Sequence, residues 1–168
     1  MVNKYTSITS IVLAVLFLCS ALMALQTGKT APNFNLKDQF GKSWDLPSLK
    51  NKVVVVVAAN KDSGKSMGPW VDKLKTKYGS KIQVLGLLDL HGIPGIGRAI
   101  AKSRIKKETK DPMMLDFKGE TGRAYEVSDK YPVVVCIDKN SQVRSAQKTL
   151  WNQNAWNAMT GSIDAALK

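Results

Sequence analysis

From Val53 to Ala58 the chain is an unbroken apolar run dominated by valine. No polar position alternates with the apolar ones, which predicts a central strand covered on both faces. After it, Trp70, Val71, Leu74 and Tyr78 recur at near-helical spacing behind Pro69, a residue suited to a first helical turn, and Gly79 ends the pattern. Ile82 to Leu88 supplies a second apolar strand. Strand, helix, strand in this order predicts a parallel pair joined by a right-handed crossover.

The flanking segments add smaller elements. A turn at residues 39–42 before Ser43-Trp44-Asp45-Leu46 predicts a small hairpin near the start of the folded part. Residues 96–107 predict a short basic helix on which Ile96, Ala99, Ile100 and Ser103 share a face, with Arg98, Lys102, Arg104, Lys106 and Lys107 over much of the rest. A short strand at residues 113–116 and a turn with a short helix within 119–127 come next. The runs at 131–138 and 142–148, separated by Lys139-Asn140-Ser141, predict an antiparallel hairpin. Trp156, Met159, Ile163 and Leu167 place an apolar stripe on a closing helix. The sum is an α/β chain with a mixed central sheet flanked by helices on both faces and an N-terminal hairpin.

The opening of the chain follows a different pattern. Ile8 to Leu25 is apolar apart from Thr9, Ser10 and Ser20, follows Lys4, and gives way to the polar Gln26-Thr27-Gly28-Lys29. Residues 1–26 therefore read as a signal peptide or membrane anchor, cleavage and retention both being open, and 27–168 as one domain outside the cytoplasm, in the periplasm or cell envelope. The two cysteines are Cys19 in the leader and Cys136 in an apolar strand, so the mature chain closes no internal disulfide. A net charge of +12 favours an acidic protein or an anionic membrane surface as partner, without specifying chemistry. Nucleic acid is not expected among the partners.

Gly64-Lys65-Ser66 follows the first long strand, where a phosphate-binding loop would present its lysine. Such a loop needs an earlier glycine so that backbone amides can close around the phosphate oxygens, and Ala59 stands in that place. Asp62 adds a carboxylate that repels phosphate. Cys136 lies among valines and isoleucine with no histidine nearby in sequence, the setting of a core thiol. The lone His91 has no serine and acid at the spacing of a hydrolytic triad, and no His/Cys cluster predicts a metal or other cofactor.

Several of these features taken in order resemble the thioredoxin superfamily, above all its exported thiol-oxidoreductase and peroxiredoxin-related branches. They are Ala31-Pro32-Asn33-Phe34-Asn35-Leu36, the Gly41-Lys42 turn, Asn51-Lys52 leading into the central strand, and Tyr131-Pro132 opening the later hairpin. The chain is also similar to the small periplasmic YtfJ-like group, with Ile93-Pro94-Gly95 after the second long strand. The resemblance implies a thioredoxin-like fold over about residues 28–168 and a cis bond before Pro132. It also implies a two-cysteine motif at 63–66, where this chain has Ser63-Gly64-Lys65-Ser66. Serine forms no reversible bond to sulfur of the kind exchange requires. The expectation is a redox-inactive binding or accessory protein of the cell envelope with an envelope protein as partner and no catalytic residue. Its groove would comprise Ser63, Gly64, Lys65, Ser66, Trp70, Asp89, His91, Tyr131 and Pro132. Two alternatives stay open: a thiol-disulfide oxidoreductase or peroxidase-related enzyme working through another site, and a nucleotide-binding protein with a degenerate phosphate loop.

Overall fold

The computed structural model describes residues 25–168. The leader expected over residues 1–26 lies almost wholly outside them. Strands β1 (Asn35–Lys37) and β2 (Ser43–Asp45) form the small antiparallel hairpin. Asp38 closes it: its carboxylate accepts from the backbone of Phe40 and Lys42 and from the Trp44 indole at 2.9 Å. Next come β3 (Val53–Asn60), α1 (Gly68–Tyr78), β4 (Ile82–Asp89), α2 (Gly95–Glu108) and β5 (Met113–Asp116). The chain ends with α3 (Glu120–Ala124), β6 (Val133–Ile137), β7 (Val143–Lys148) and α4 (Gln153–Leu167).

The main sheet has the order β5-β4-β3-β6-β7. β3 runs parallel to β4 from Val53 opposite Ile82 to Asn60 opposite Asp89, and β4 runs parallel to β5. β6 is antiparallel to β3 and β7 to β6. The sheet is therefore mixed, as the sequence pattern predicts.

Seven consecutive buried positions on β3 divide between two cores because successive side chains point to opposite faces. Val54, Val56 and Ala58 join Phe34, Trp44, Leu85, Leu87 and Tyr125 beneath the hairpin and α3. Val53, Val55, Val57 and Ala59 join Trp70, Leu74, Cys136, Met159 and Ile163 beneath α1 and α4. A strand so placed has no solvent face, which is why no polar residue interrupts it.

The helix α2 departs from its expected packing. Ile96 is 91% exposed and Ile100 71%, and α2 buries none of its residues. The face turned toward the sheet carries Gly97, Ala101 and Ile105 instead. Contacts at its sides and end hold it: Arg98 stands 5.3 Å over the Phe117 ring, and Lys106 5.7 Å over the Phe40 ring. The buried Gln39 amide donates to the carbonyls of Thr109 and Asp111 and accepts from the Met113 N–H at 2.9 Å, pinning the chain as it leaves α2 for β5.

Two expectations need correction. Among the described residues there is no cis peptide bond, so Tyr131–Pro132 is trans. The Ser128 hydroxyl meets the Tyr131 carbonyl at 3.2 Å and Pro132 continues into β6, an extended course that the residue before a proline favours. The membrane assignment is corrected only for the described residues, no helix of which is long and apolar enough to cross a membrane; the segment 1–26 that carried it lies almost wholly outside them.

Candidate functional site

The loop after β3 begins as a turn built on Asn60. Its side-chain oxygen accepts from the N–H groups of Asp62 at 2.9 Å and Ser63 at 3.1 Å. Ser63 is only 2% exposed. Its hydroxyl donates to the Ser128 carbonyl at 2.8 Å and accepts from the Asn60 N–H at 3.2 Å, while the Asn60 amide donates to Asp129. This network ties the end of β3 to the 128–131 turn, because a buried hydroxyl must find partners or lose its hydration energy. Ser63 is a structural pin. Residues 64–66 then form one turn of 3-10 helix leading into α1.

The remaining expected groove residues do not converge on one surface. Gly64 and the exposed Lys65 border a cavity on the α1 face of the sheet, and Ser66 is half-buried next to them. Trp70 is fully buried, 6.3 Å from Trp156 between ring centroids, and its indole N–H has no hydrogen-bond partner. It is a core residue. Tyr131 is half-buried beneath Lys130, and Pro132 is buried. Asp89 shares its side of β4 with Leu85 and Leu87 and packs on Gly122 of α3. Its Oδ1 receives the His91 N–H at 3.0 Å and lies 2.8 Å from His91 Nδ1. The Asp89–His91 pair is therefore on the α3 side of the sheet, away from Lys65.

The loop does not form a phosphate cradle. Gly64 is the single glycine in the turn, Asp62 pairs with Lys61 at 2.9 Å, and the Ser63 hydroxyl is occupied. Among the described residues no group of three or more His, Cys, Asp or Glu side chains comes together to hold a metal ion. The only described cysteine, Cys136, is fully buried. Burial, reinforced by Asp138 and partly opposed by Arg144, pushes its thiol up to about 12. The thiolate needed for nucleophilic attack is thus suppressed at neutral pH.

Sequence reasoning missed two features. Gln39 reads as an ordinary turn residue until its amide is seen buried between the end of α2 and β5. The cavity beneath α2 had no signal of its own; Gly86, inside an apolar strand, marks only the close approach of Met113 at its floor. An added Cβ there would come within 2.4 Å of Met113 Sδ.

The AhpC/TSA family model matches residues 27–146, most of the chain. The chain belongs to the AhpC/TSA family. That placement supports the wider family and carries nothing of the narrower YtfJ-like likeness, and the recognition is corrected at Ser63, which is buried and hydrogen-bonded and lines no open groove. No curated protein matches this AhpC/TSA-family chain. Solved structures do. A candidate thiol:disulfide interchange protein DsbE from Chlorobium tepidum is 24% identical with a TM-score of 0.66, over 86% of this chain and 100% of that one. The pneumococcal exposed lipoprotein thioredoxin Etrx1 from Streptococcus pneumoniae is 21% identical with a TM-score of 0.62, over 79% and 99%. The thioredoxin domain of the thiol-disulfide oxidoreductase BVU-2223 from Bacteroides vulgatus is 17% identical with a TM-score of 0.61, over 82% and 98%. At these identities the likeness establishes the thioredoxin-like fold.

Proposed function

We propose that this AhpC/TSA-family domain serves in the cell envelope as a binding or accessory protein that performs no thiol-disulfide exchange at the end of β3. The observation that carries the reading is the chemistry of that loop. It holds Ser63 and Ser66, of which Ser63 is buried and hydrogen-bonded, and the one described thiol is sealed in the core. The apolar leader pattern supports an extracytoplasmic location, as does likeness to a protein described as an exposed lipoprotein thioredoxin.

Family membership favours a second reading at least as strongly, a redox-related function, since the similar structures carry thiol-disulfide descriptions. Here that function would fall to Cys136. A one-cysteine peroxide step would convert its thiolate to a sulfenic acid as the O–O bond breaks and the leaving oxygen takes a proton, and an external thiol would have to restore it. Protein purified from cells expressing the full chain separates the readings in insulin-reduction and peroxide-consumption assays. Absence of turnover supports the binding role. Turnover abolished in Cys136→Ser, in a variant that still melts cooperatively, establishes the redox reading and ends the first.

A further inference from the structure

The crossover helix α2 covers a cavity of about 1030 Å³, at the top of the range of about 300–1,000 Å³ usual for small-molecule sites. Val84 and Leu88 of β4 with Met113 of β5 make the floor, Val71 of α1 one wall, and Ala101 and Ile105 of α2 the cover. Val84, Leu88 and Met113 belong to the α1-side core yet are only half-buried, because α2 stands off the sheet instead of packing on it. A well-packed interior leaves few voids larger than a water molecule, so apolar surface left without neighbours on this scale, in a space still open to solvent at its sides, fits an occupant. An aliphatic chain is the chemistry that such a lining takes.

Charge at the rim selects the other end of the ligand. Lys65 borders the cavity and makes no hydrogen bond or ion pair among the described residues. The lining acids Glu108 and Asp111 are matched by Arg104 and Lys75, leaving Asp72 as the acid without an ion pair. The cover itself carries Arg98, Lys102, Arg104, Lys106 and Lys107 against Glu108. An anionic head is favoured in this field and a cationic one repelled.

We propose that the space beneath α2 binds a single-chain anionic amphiphile, with its hydrocarbon between the β4-β5 floor and α2 and its carboxylate or phosphate at Lys65. The site stands apart from Cys136 and holds whether or not the domain proves redox-active. Because α2 stands over the floor, the space suits a slender flexible chain better than a folded helix of a partner protein.

The test uses protein purified from cells expressing the full chain, freed of bound lipid, and titrated by calorimetry below the micelle threshold with dodecanoate, dodecyl phosphate, dodecanol and dodecyltrimethylammonium. Saturable one-to-one binding of either anion is expected, with dodecanol about tenfold weaker and the cation weaker still. The stronger anion tells whether a free fatty acid or a phosphate-bearing lipid is the source. Lys65→Glu should weaken the anions about tenfold and leave dodecanol unchanged. Ala101→Trp, on a helix that buries nothing and can accept a larger side chain, should block all probes while preserving the melting transition. Failure of both anions to saturate, equal binding of the cation, or unchanged binding in a folded Ala101→Trp variant would each overturn the proposal.

Discussion

Ser63 shows how far a residue's name falls short of its role. In sequence it stands at a reactive position of a redox loop; in the fold its hydroxyl joins the β3 turn to Ser128. No sequence signal could show this, because the partner lies sixty-five positions away. Ser63→Ala leaves the Ser128 carbonyl and the Asn60 N–H short of a partner and should cost about 1–3 kcal/mol of unfolding free energy, read by urea denaturation. Installing thiols is a separate test of the same geometry: in Ser63→Cys/Ser66→Cys, any gain of insulin reduction would show that the scaffold still presents this turn to a disulfide. Gly122 is the tightest glycine of the α3 face. An added Cβ would lie 2.4 Å from Asp89 Oδ2, so Gly122→Ala must displace the carboxylate that holds His91. A loss of about 1–3 kcal/mol is expected, together with a shift of the His91 ring resonances in NMR spectra.

At the scale of elements, legibility follows burial. Val53 to Ala58 was readable because a strand with two covered faces must be apolar throughout, and the α1 positions Trp70, Val71, Leu74 and Tyr78 were readable because one face is buried. The inward face of α2 was not. With no residue buried, its sequence is free of the constraint that writes a clear stripe, and Ile96 and Ile100 drew the expected face to the wrong side. The groove failed on a different ground: Lys65 borders the cavity on one face of the sheet, while alternation along β4 puts Asp89 on the other with Leu85 and Leu87. An element held by its sides and end should open locally before the sheet does. Amide hydrogens of α2 are expected to exchange faster than those of α1. Gln39→Ala, which strips three backbone groups of their partner, should speed exchange across α2 and residues 109–113 while leaving β3 protected. Uniform acceleration over the whole sheet would mean that α2 has no independent opening.

For the whole molecule, the buried acids set the alkaline limit of stability. Cys136 is held protonated by burial up to about 12, and Tyr125, whose hydroxyl donates to the Pro32 carbonyl at 2.9 Å, is also raised by burial. Tyr78 shifts in the same direction through burial and its bond to Asp164. Each group releases its proton more readily in the unfolded chain, so its stabilising contribution is intact below the unfolded pKa and is lost as pH climbs toward the folded one. Above about pH 8.5 the unfolded Cys136 thiol ionises first, and unfolding free energy should fall by up to about 1.4 kcal/mol per pH unit. From about pH 10 the tyrosines join and the slope steepens. The net charge of +12 works against this trend, because neutralising basic groups relieves repulsion, but lysines lose their charge only near pH 10 and above, leaving the first part of the decline to the thiol. Urea unfolding between pH 7 and 11 should therefore show a decline beginning near pH 8.5 that disappears in Cys136→Ala, while the steeper fall above about pH 10 persists in that variant. The alanine variant starts lower at neutral pH because it leaves a small cavity among the valines, so the change of slope, not the absolute stability, is the decisive reading. A wild-type curve flat to pH 10 would mean that the thiol titrates alike in both states, and that Cys136 is open to solvent often enough to act as the nucleophile its burial otherwise forbids.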